Sequence, residues 1–82
     1  MDKNVMESLE IFMSNVIWLR RHYGFSRSKM AAILKIHVST LVKIERHSFP
    51  PRLDVHILYQ IYTNFGYTPS QMVEQLLEET EG

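Results

Sequence analysis

Apolar side chains recur at three- and four-residue spacing along most of the chain, which is typical of amphipathic helices packed on a core. The first such stretch predicts a helix from Val5 to about Tyr23, which Gly24 ends. Asn4 and Glu7 form its predicted N-terminal cap pair. Its predicted buried stripe consists of Val5, Leu9, Phe12, Val16, Leu19 and Tyr23. A second apolar set either widens this core face or forms a patch that a partner subunit covers: Met6, Met13, Ile17 and Trp18.

Two short helices are predicted between Ser26 and Arg46, with Ser26 as the first N-cap. The small side chain of Ala31 allows a close helix crossing, and the linker of residues 35–37 is long enough only for a sharp turn. The apolar positions of the two helices are Met30, Ala31, Leu34, Val38, Leu41 and Ile44. The outward face of the second helix carries Ser39, Val42, Lys43 and Arg46. This is the layout of a helix-turn-helix that enters the major groove of DNA.

After a proline-containing loop over residues 47–52, two more helices are predicted. Asp54 caps a fourth helix that ends before Gly66, with an inward face of Val55, Leu58, Ile61, Tyr62 and Phe65. Thr68, Pro69 and Gln71 form the start of a fifth helix. Its apolar side is Met72, Val73, Leu76 and Leu77, and its acidic end, residues 78–82, is expected to fray against the helix dipole. Residues 1–82 therefore predict one compact all-α domain of five helices.

Charge is segregated along the chain, although the formal net charge is zero. Residues 20–52 contain eight Lys and Arg and one acid, Glu45, for a net charge of +7. The remainder contains one cation and eight acids, for a net charge of −7. The positive part coincides with the helix-turn-helix, as expected for a phosphate partner. The other interpretation is that the two parts only attract each other within the fold.

Composition excludes several classes of protein. A hydrophobic content of 45% in 82 residues supports one modest core and no separate catalytic domain. The chain has no cysteine and hence no disulfide, and its acidic N-terminus lacks the pattern of a signal peptide. The longest apolar run, residues 16–19, is far too short for a membrane span. A soluble cytoplasmic protein is expected.

The ordered set of these residues resembles the helix-turn-helix of phage-repressor and Cro-type DNA-binding domains, over about residues 10–77. The resemblance rests on Phe25-Ser26-Arg27, Met30-Ala31 and Leu41-Val42-Lys43-Ile44-Glu45-Arg46, with Val16, Leu19, Arg20 and Gly24 upstream and Pro51, Leu58, Ile61, Phe65 and Gly66 downstream. It implies a compact lambda-repressor-like fold. Lys35 and His47 stand where the family favours Gly. Because a positive φ is uncommon for other residues, Lys35 is expected to be strained or the turn to be slightly remodelled. Val38 stands where the family often has Gln or Arg.

The resemblance also implies roles for individual residues. Arg20 and Glu45 are expected to form a structural ion pair. The base-facing positions are His37, Val38, Ser39, Val42 and Lys43. Lys43 can donate to guanine, whereas Val38 and Val42 either touch thymine methyl groups or pack internally. The candidate phosphate contacts are Arg27, Lys29, Arg46, Ser48 and Arg52.

Arg27 and Lys29 lie at the positive end of a helix, where cations are unfavourable unless an anion is bound there. The alternative is that both side chains simply point into water. By resemblance to the family, Arg27 is also a candidate to reach a base.

The function expected from the sequence is sequence-specific binding of double-stranded DNA by a bacterial or phage-encoded transcriptional regulator. A homodimer is expected through the fifth helix, by Met72, Val73, Leu76 and Leu77, with Trp18 as a candidate contributor. The alternative is a protein–protein interaction module on the same fold, antitoxin-like or regulator-binding, with weak DNA readout. The four histidines lack metal-site spacing, and no nucleophile motif or phosphate-binding glycine loop occurs. We therefore expect no catalysis, metal, cofactor or small-molecule ligand.

Overall fold

The computed structural model describes residues 5–48 and 54–81, with the side chains of residues 7–48 and 54–79. The described residues form six helices and no strand. In chain order they are α1 (Val5–His22), α2 (Arg27–Leu34), α3 (Val38–Glu45), α4 (Val55–Phe65), α5 (Pro69–Glu74) and α6 (Leu77–Glu81). The predicted all-helical class is confirmed, whereas the predicted count of five helices is wrong. Asn4, Pro51 and Arg52 lie outside the described residues.

Local capping signals set most helix ends where the sequence predicts them. The Ser26 hydroxyl accepts from the Lys29 N–H at 3.1 Å, and the Asp54 carboxylate accepts from the N–H of residue 56 at 2.9 Å. Thr68 and Gln71 form a reciprocal capping box at the start of α5. Gly24 follows α1 with φ of 71°, a left-handed conformation that glycine adopts without steric cost.

Helix α1 is the centre of the fold, because α3, α5 and α6 all pack against it. Helix α2 packs against α3 and α4, and α4 against α5. Every helix contributes apolar side chains to one shared core. The buried residues are Leu9, Phe12, Met13, Val16, Leu19, Met30, Ala31, Leu34, Leu41, Ile44, Ile57, Ile61, Met72 and Leu77.

Helix α4 turns a different face inward from the one predicted. Val55 and Tyr62 were expected in the core but are 77% and 53% exposed, whereas Ile57 and Gln60 are buried. Of the predicted inward set, only Ile61 is fully buried; Leu58 and Phe65 are half-buried. The reason is that α4 is apolar on both sides, so residue spacing alone does not select the buried side.

Three residues of the second apolar set on α1 are divided between core and surface, and the side chain of the fourth, Met6, lies outside the described residues. Met13 is buried in the core, while Ile17 and Trp18 are half-buried. The Trp18 indole stacks on the His22 imidazole with ring centroids 4.4 Å apart. Tyr23, predicted to end the buried stripe, is 47% exposed and lies against Phe65 of α4 at 5.2 Å between centroids.

Asn15 explains why the predicted fifth helix is two helices. Its side chain is 1% exposed; the amide nitrogen donates to the carbonyls of Met72 (3.0 Å) and Gln75 (2.9 Å). Its amide oxygen accepts from the Leu77 N–H at 2.9 Å. One side chain thus forms hydrogen bonds with backbone groups at the end of α5 and at the start of α6. Gln75 is extended between the two helices (φ −148°, ψ 147°).

This break changes two further expectations. Glu78 and Glu79 lie in the first turn of α6, where the helix dipole favours acids, so the stated reason for fraying does not hold. Met72 and Leu77 are buried in the core, so they cannot form the dimer surface predicted for the fifth helix. Val73 and Leu76 of that predicted surface are half-buried.

Candidate nucleic-acid interface

Helices α2 and α3 form a tightly packed pair on the core. Ala31, at the crossing predicted from its small side chain, is 2% exposed. Met30 and Leu34 of α2, and Leu41 and Ile44 of α3, are fully buried. With these apolar sides fixed inward, the opposite side of α3 is presented to solvent.

The turn between α2 and α3 depends on a left-handed residue at the position where glycine is favoured. Lys35 has φ of 59° and ψ of 46°, a left-handed conformation, so of the two expected outcomes the structure shows the strained residue. The Lys35 N–H donates to the Ala32 carbonyl at 3.2 Å, and the Ile36 N–H donates to the Ala31 carbonyl at 3.0 Å. These two hydrogen bonds close the end of α2 and allow α3 to begin three residues later.

The outward side of α3 carries the predicted base-facing residues. His37, Ser39 and Lys43 are exposed, Val38 is 42% exposed, and Val42 is half-buried. The His37 ring makes no capping hydrogen bond at the start of α3. Donors and an apolar side chain therefore share one solvent-facing surface, which we call the α3 outer face and define as His37, Val38, Ser39, Val42 and Lys43.

The end of α3 uses a second left-handed residue, His47, with φ of 57°. The Ser48 N–H and hydroxyl both donate to the Lys43 carbonyl, at 2.9 and 3.2 Å. The His47 Nδ1 lies 2.7 Å from a carboxylate oxygen of Glu10 on α1. An acid from α1 thus lies beside the end of α3, a contact that the sequence reasoning missed because no local spacing links residues 37 positions apart.

Glu45, the acid within the basic span, is held by two arginines. The Arg20 Nε donates to one carboxylate oxygen of Glu45 at 2.6 Å, and an Arg20 terminal nitrogen donates to the other at 3.2 Å. The expected ion pair is therefore present and is bidentate. The Arg27 Nε donates to the same carboxylate at 2.9 Å. Arg20 also donates to the Phe25 carbonyl at 3.1 Å. Three helices, α1, α2 and α3, are therefore joined at one carboxylate.

The electrostatics of Glu45 follow from this arrangement. Its side chain is 6% exposed, and burial alone would raise the pKa of the carboxyl. The hydrogen bonds and positive charges of Arg20 and Arg27 outweigh burial and lower the pKa of Glu45. Glu45 is thus a stable anion inside the basic span and neutralises part of its charge.

A crevice of about 200 Å³ runs beside this ion-pair cluster. Arg21 and Arg46, both exposed, lie on its rim together with Arg27, whose side chain is 53% exposed. Lys29 is exposed near the start of α2. The predicted phosphate contacts Arg27, Lys29, Arg46 and Ser48 are all solvent-accessible, and Arg52 lies outside the described residues.

Some classes of site are not found in the part of the chain that the structure describes. No group of three His, Asp or Glu residues is placed there to hold a metal ion. Within residues 5–48 and 54–81, no helix combines the length and apolarity needed to cross a membrane. Comparisons of the chain with protein-family models, curated proteins and solved structures gave no match.

Proposed function

We propose that this protein is a sequence-specific double-stranded DNA-binding regulator in which α3 is the recognition helix in the major groove. The observation that carries the proposal is the α3 outer face: exposed donors on one side, with Leu41 and Ile44 buried on the other. The net charge of +7 over residues 20–52 supports the same orientation toward phosphate. In this proposal the protein acts in a bacterial cytoplasm, binds chromosomal or phage DNA and catalyses no reaction.

The residues of the α3 outer face have different chemical capacities. Lys43 supplies a cationic donor for guanine acceptors, and Ser39 can donate or accept at either base pair. Val38 suits the methyl group of thymine, and half-buried Val42 contributes both packing and a smaller contact. Readout in this proposal is therefore a mixture of hydrogen bonding and apolar contact.

Phosphate contacts are assigned to residues around this face. Arg46 and Lys29 are exposed cations. Arg27 gives one of five guanidinium N–H donors to Glu45, so the ion pair holds it at the surface with donors left for a phosphate. Ser48 already donates to the Lys43 carbonyl, so it must rotate before its hydroxyl can serve a phosphate.

Lys43→Ala and Arg46→Ala test the docking directly. Lys43→Ala should cost about 1–3 kcal/mol on the preferred site and relax its sequence preference. Arg46→Ala should weaken binding to all sequences alike. It should also reduce the slope of log affinity against log salt concentration by about one, which corresponds to one released counterion fewer. Fluorescence anisotropy with DNA from the gene's own upstream region, at several salt concentrations, measures both effects.

The control is Lys3→Ala, which removes the same charge from outside the basic span and should leave affinity unchanged. Unchanged binding by both α3 variants, or binding by the wild type that is insensitive to salt, would contradict the proposal.

A protein–protein interaction module on the same fold is the second candidate. It is favoured by Val38, an apolar residue 42% exposed where a polar reader is expected, and by the formal net charge of zero. In that case Val38→Lys should abolish capture of a protein partner, while DNA fragments fail to bind the wild-type chain. If Val38→Lys instead changes DNA affinity and captures no fewer proteins than wild type, the DNA-binding proposal holds.

A further inference from the structure

Helix α4 and the start of α5 carry an apolar surface that the fold does not use. Val55, Tyr59 and Tyr62 are 77%, 60% and 53% exposed, at the i, i+4 and i+7 positions that form one stripe along a helix. Together with Leu58 and Pro69 they line a shallow groove of about 400 Å³. We call these five residues the α4–α5 face.

The α4–α5 face lies in a stretch that lacks formal charge. Residues 55–73 contain no Asp, Glu, Lys or Arg, and this is the longest such stretch in a chain with 22% charged residues. A solvent-facing helix side normally carries charged and polar residues. Two exposed tyrosines in an uncharged stretch are typical of the centre of a protein interface, where charge is depleted and aromatic residues are enriched.

The charge pattern favours a second copy of this chain as the occupant of the α4–α5 face. A two-fold axis brings a surface against its own copy, so a surface of one charge sign repels itself. The remainder of this molecule is polarised, with a net charge of +7 over residues 20–52 and −7 outside them. The α4–α5 face has neither sign, so it can meet itself without opposing like charges, and it offers no cation to a phosphate.

We propose that two copies of this chain associate through the α4–α5 face around a two-fold axis. The α4–α5 face takes the place of the dimer surface that was predicted on the fifth helix, because Met72 and Leu77 of that predicted surface are buried. The exposed parts of the three stripe residues amount to roughly 300 Å² per copy, well below the ~800 Å² of a standard interface. The dimer is therefore weak and depends on concentration. It does not rest on DNA binding and is tested without DNA.

The test is analytical ultracentrifugation of the full chain from low micromolar to near-millimolar concentration. The wild type should shift from monomer to dimer, and added salt should not dissociate it, because the contact is uncharged. Val55→Lys and Tyr59→Lys should each raise the dissociation constant at least about tenfold, since like charges then face each other across the axis.

Val38→Lys is the matched control. Val38 and Val55 are the first residues of α3 and α4, so the same substitution meets the same helix-dipole cost at both positions. Val38→Lys should leave the dimer unchanged. Circular dichroism melting checks that each variant folds, which is expected because the substituted residues are exposed.

Three results would overturn the proposal: a wild type that stays monomeric throughout, a dimer that Val55→Lys and Tyr59→Lys leave intact, or an assembly that salt dissolves. The last would indicate head-to-tail contact between the oppositely charged parts instead. A monomeric wild type would assign the face to some other partner.

Discussion

Two of the polar side chains that attach helix α1 to the rest of the molecule, Asn15 and Arg20, differ in kind. Asn15 is neutral and joins α1 to backbone atoms of α5, α6 and the residue between them. Arg20 is charged and joins α1 to the carboxylate of Glu45 on α3. The first attachment satisfies main-chain groups at helix ends, whereas the second pairs two side chains.

The difference predicts different sensitivities. A buried amide bonded to the backbone has no titrating partner, so its contribution is independent of pH. A buried ion pair is costly to desolvate and strongly destabilising when one partner is lost. The contribution of Asn15 to holding α5 and α6 is therefore independent of pH, while the attachment of α3, the proposed recognition helix, weakens in acid.

Asn15→Ala should have the largest effect of the stability variants. It removes three hydrogen bonds, two of them buried at about 1–3 kcal/mol each; the third, to the Gln75 carbonyl, is part-buried and costs less. We expect the free energy of unfolding to fall by about 4 kcal/mol or more, as measured by urea denaturation. Ser14→Ala, at the neighbouring half-buried position, is the control. A loss under about 1 kcal/mol would show that Asn15 does not hold the α5–α6 junction.

Glu45→Gln should have an intermediate effect that depends on pH. At neutral pH it leaves Arg20 largely buried without its counter-charge, and we expect a loss of about 2–3 kcal/mol; the exposed Arg27 adds little. Because the Arg20 and Arg27 partners lower the pKa of folded Glu45, its stabilisation is full above the ordinary value of 4.5 and is lost as pH falls through the folded value.

The difference in unfolding free energy between wild type and Glu45→Gln, measured from pH 7 downward, checks this sign. It should shrink in acid, because protonated Glu45 resembles Gln. A difference that stays constant across this range would mean that the ion pair does not stabilise α3. Glu74→Gln, which removes one carboxylate from an exposed part of α5 and leaves this ion pair in place, is the matched control.

Lys35→Gly should have the smallest effect, because Lys35 belongs to neither attachment. Its positive φ costs an L-residue more than glycine, although glycine also increases the entropy of the unfolded chain. We expect the free energy of unfolding, measured by thermal denaturation, to rise by about 0.5–1 kcal/mol. His47→Gly relieves similar strain but removes the contact with Glu10, so it should stabilise the fold less than Lys35→Gly does. An equal or larger gain at His47 would contradict this assignment.

The sequence was sufficient where the determinants are local. The cap at Ser26 and the capping box at Thr68 depend on neighbouring residues, and both were predicted. A strained Lys35 was one of the two outcomes expected from the family resemblance. The packing of Ala31 followed from its small side chain next to apolar partners.

The sequence was insufficient where the cause is distant. The break at Gln75 depends on Asn15, 60 positions earlier, whose only signal is a polar residue within an apolar stretch. Arg27 was expected either to need an anion or to point into water; the structure supplies an anion, the Glu45 carboxylate from a different helix. The exposure of Tyr62 was missed because both sides of α4 are apolar.

Trp18 is the chain's single tryptophan, and it lies stacked on His22 at one side of α1. The indole also lines an open groove with Arg21 and Glu78, which spans α1 and α6. Its emission therefore provides an optical signal for the separation of these helices that requires neither dye nor substitution.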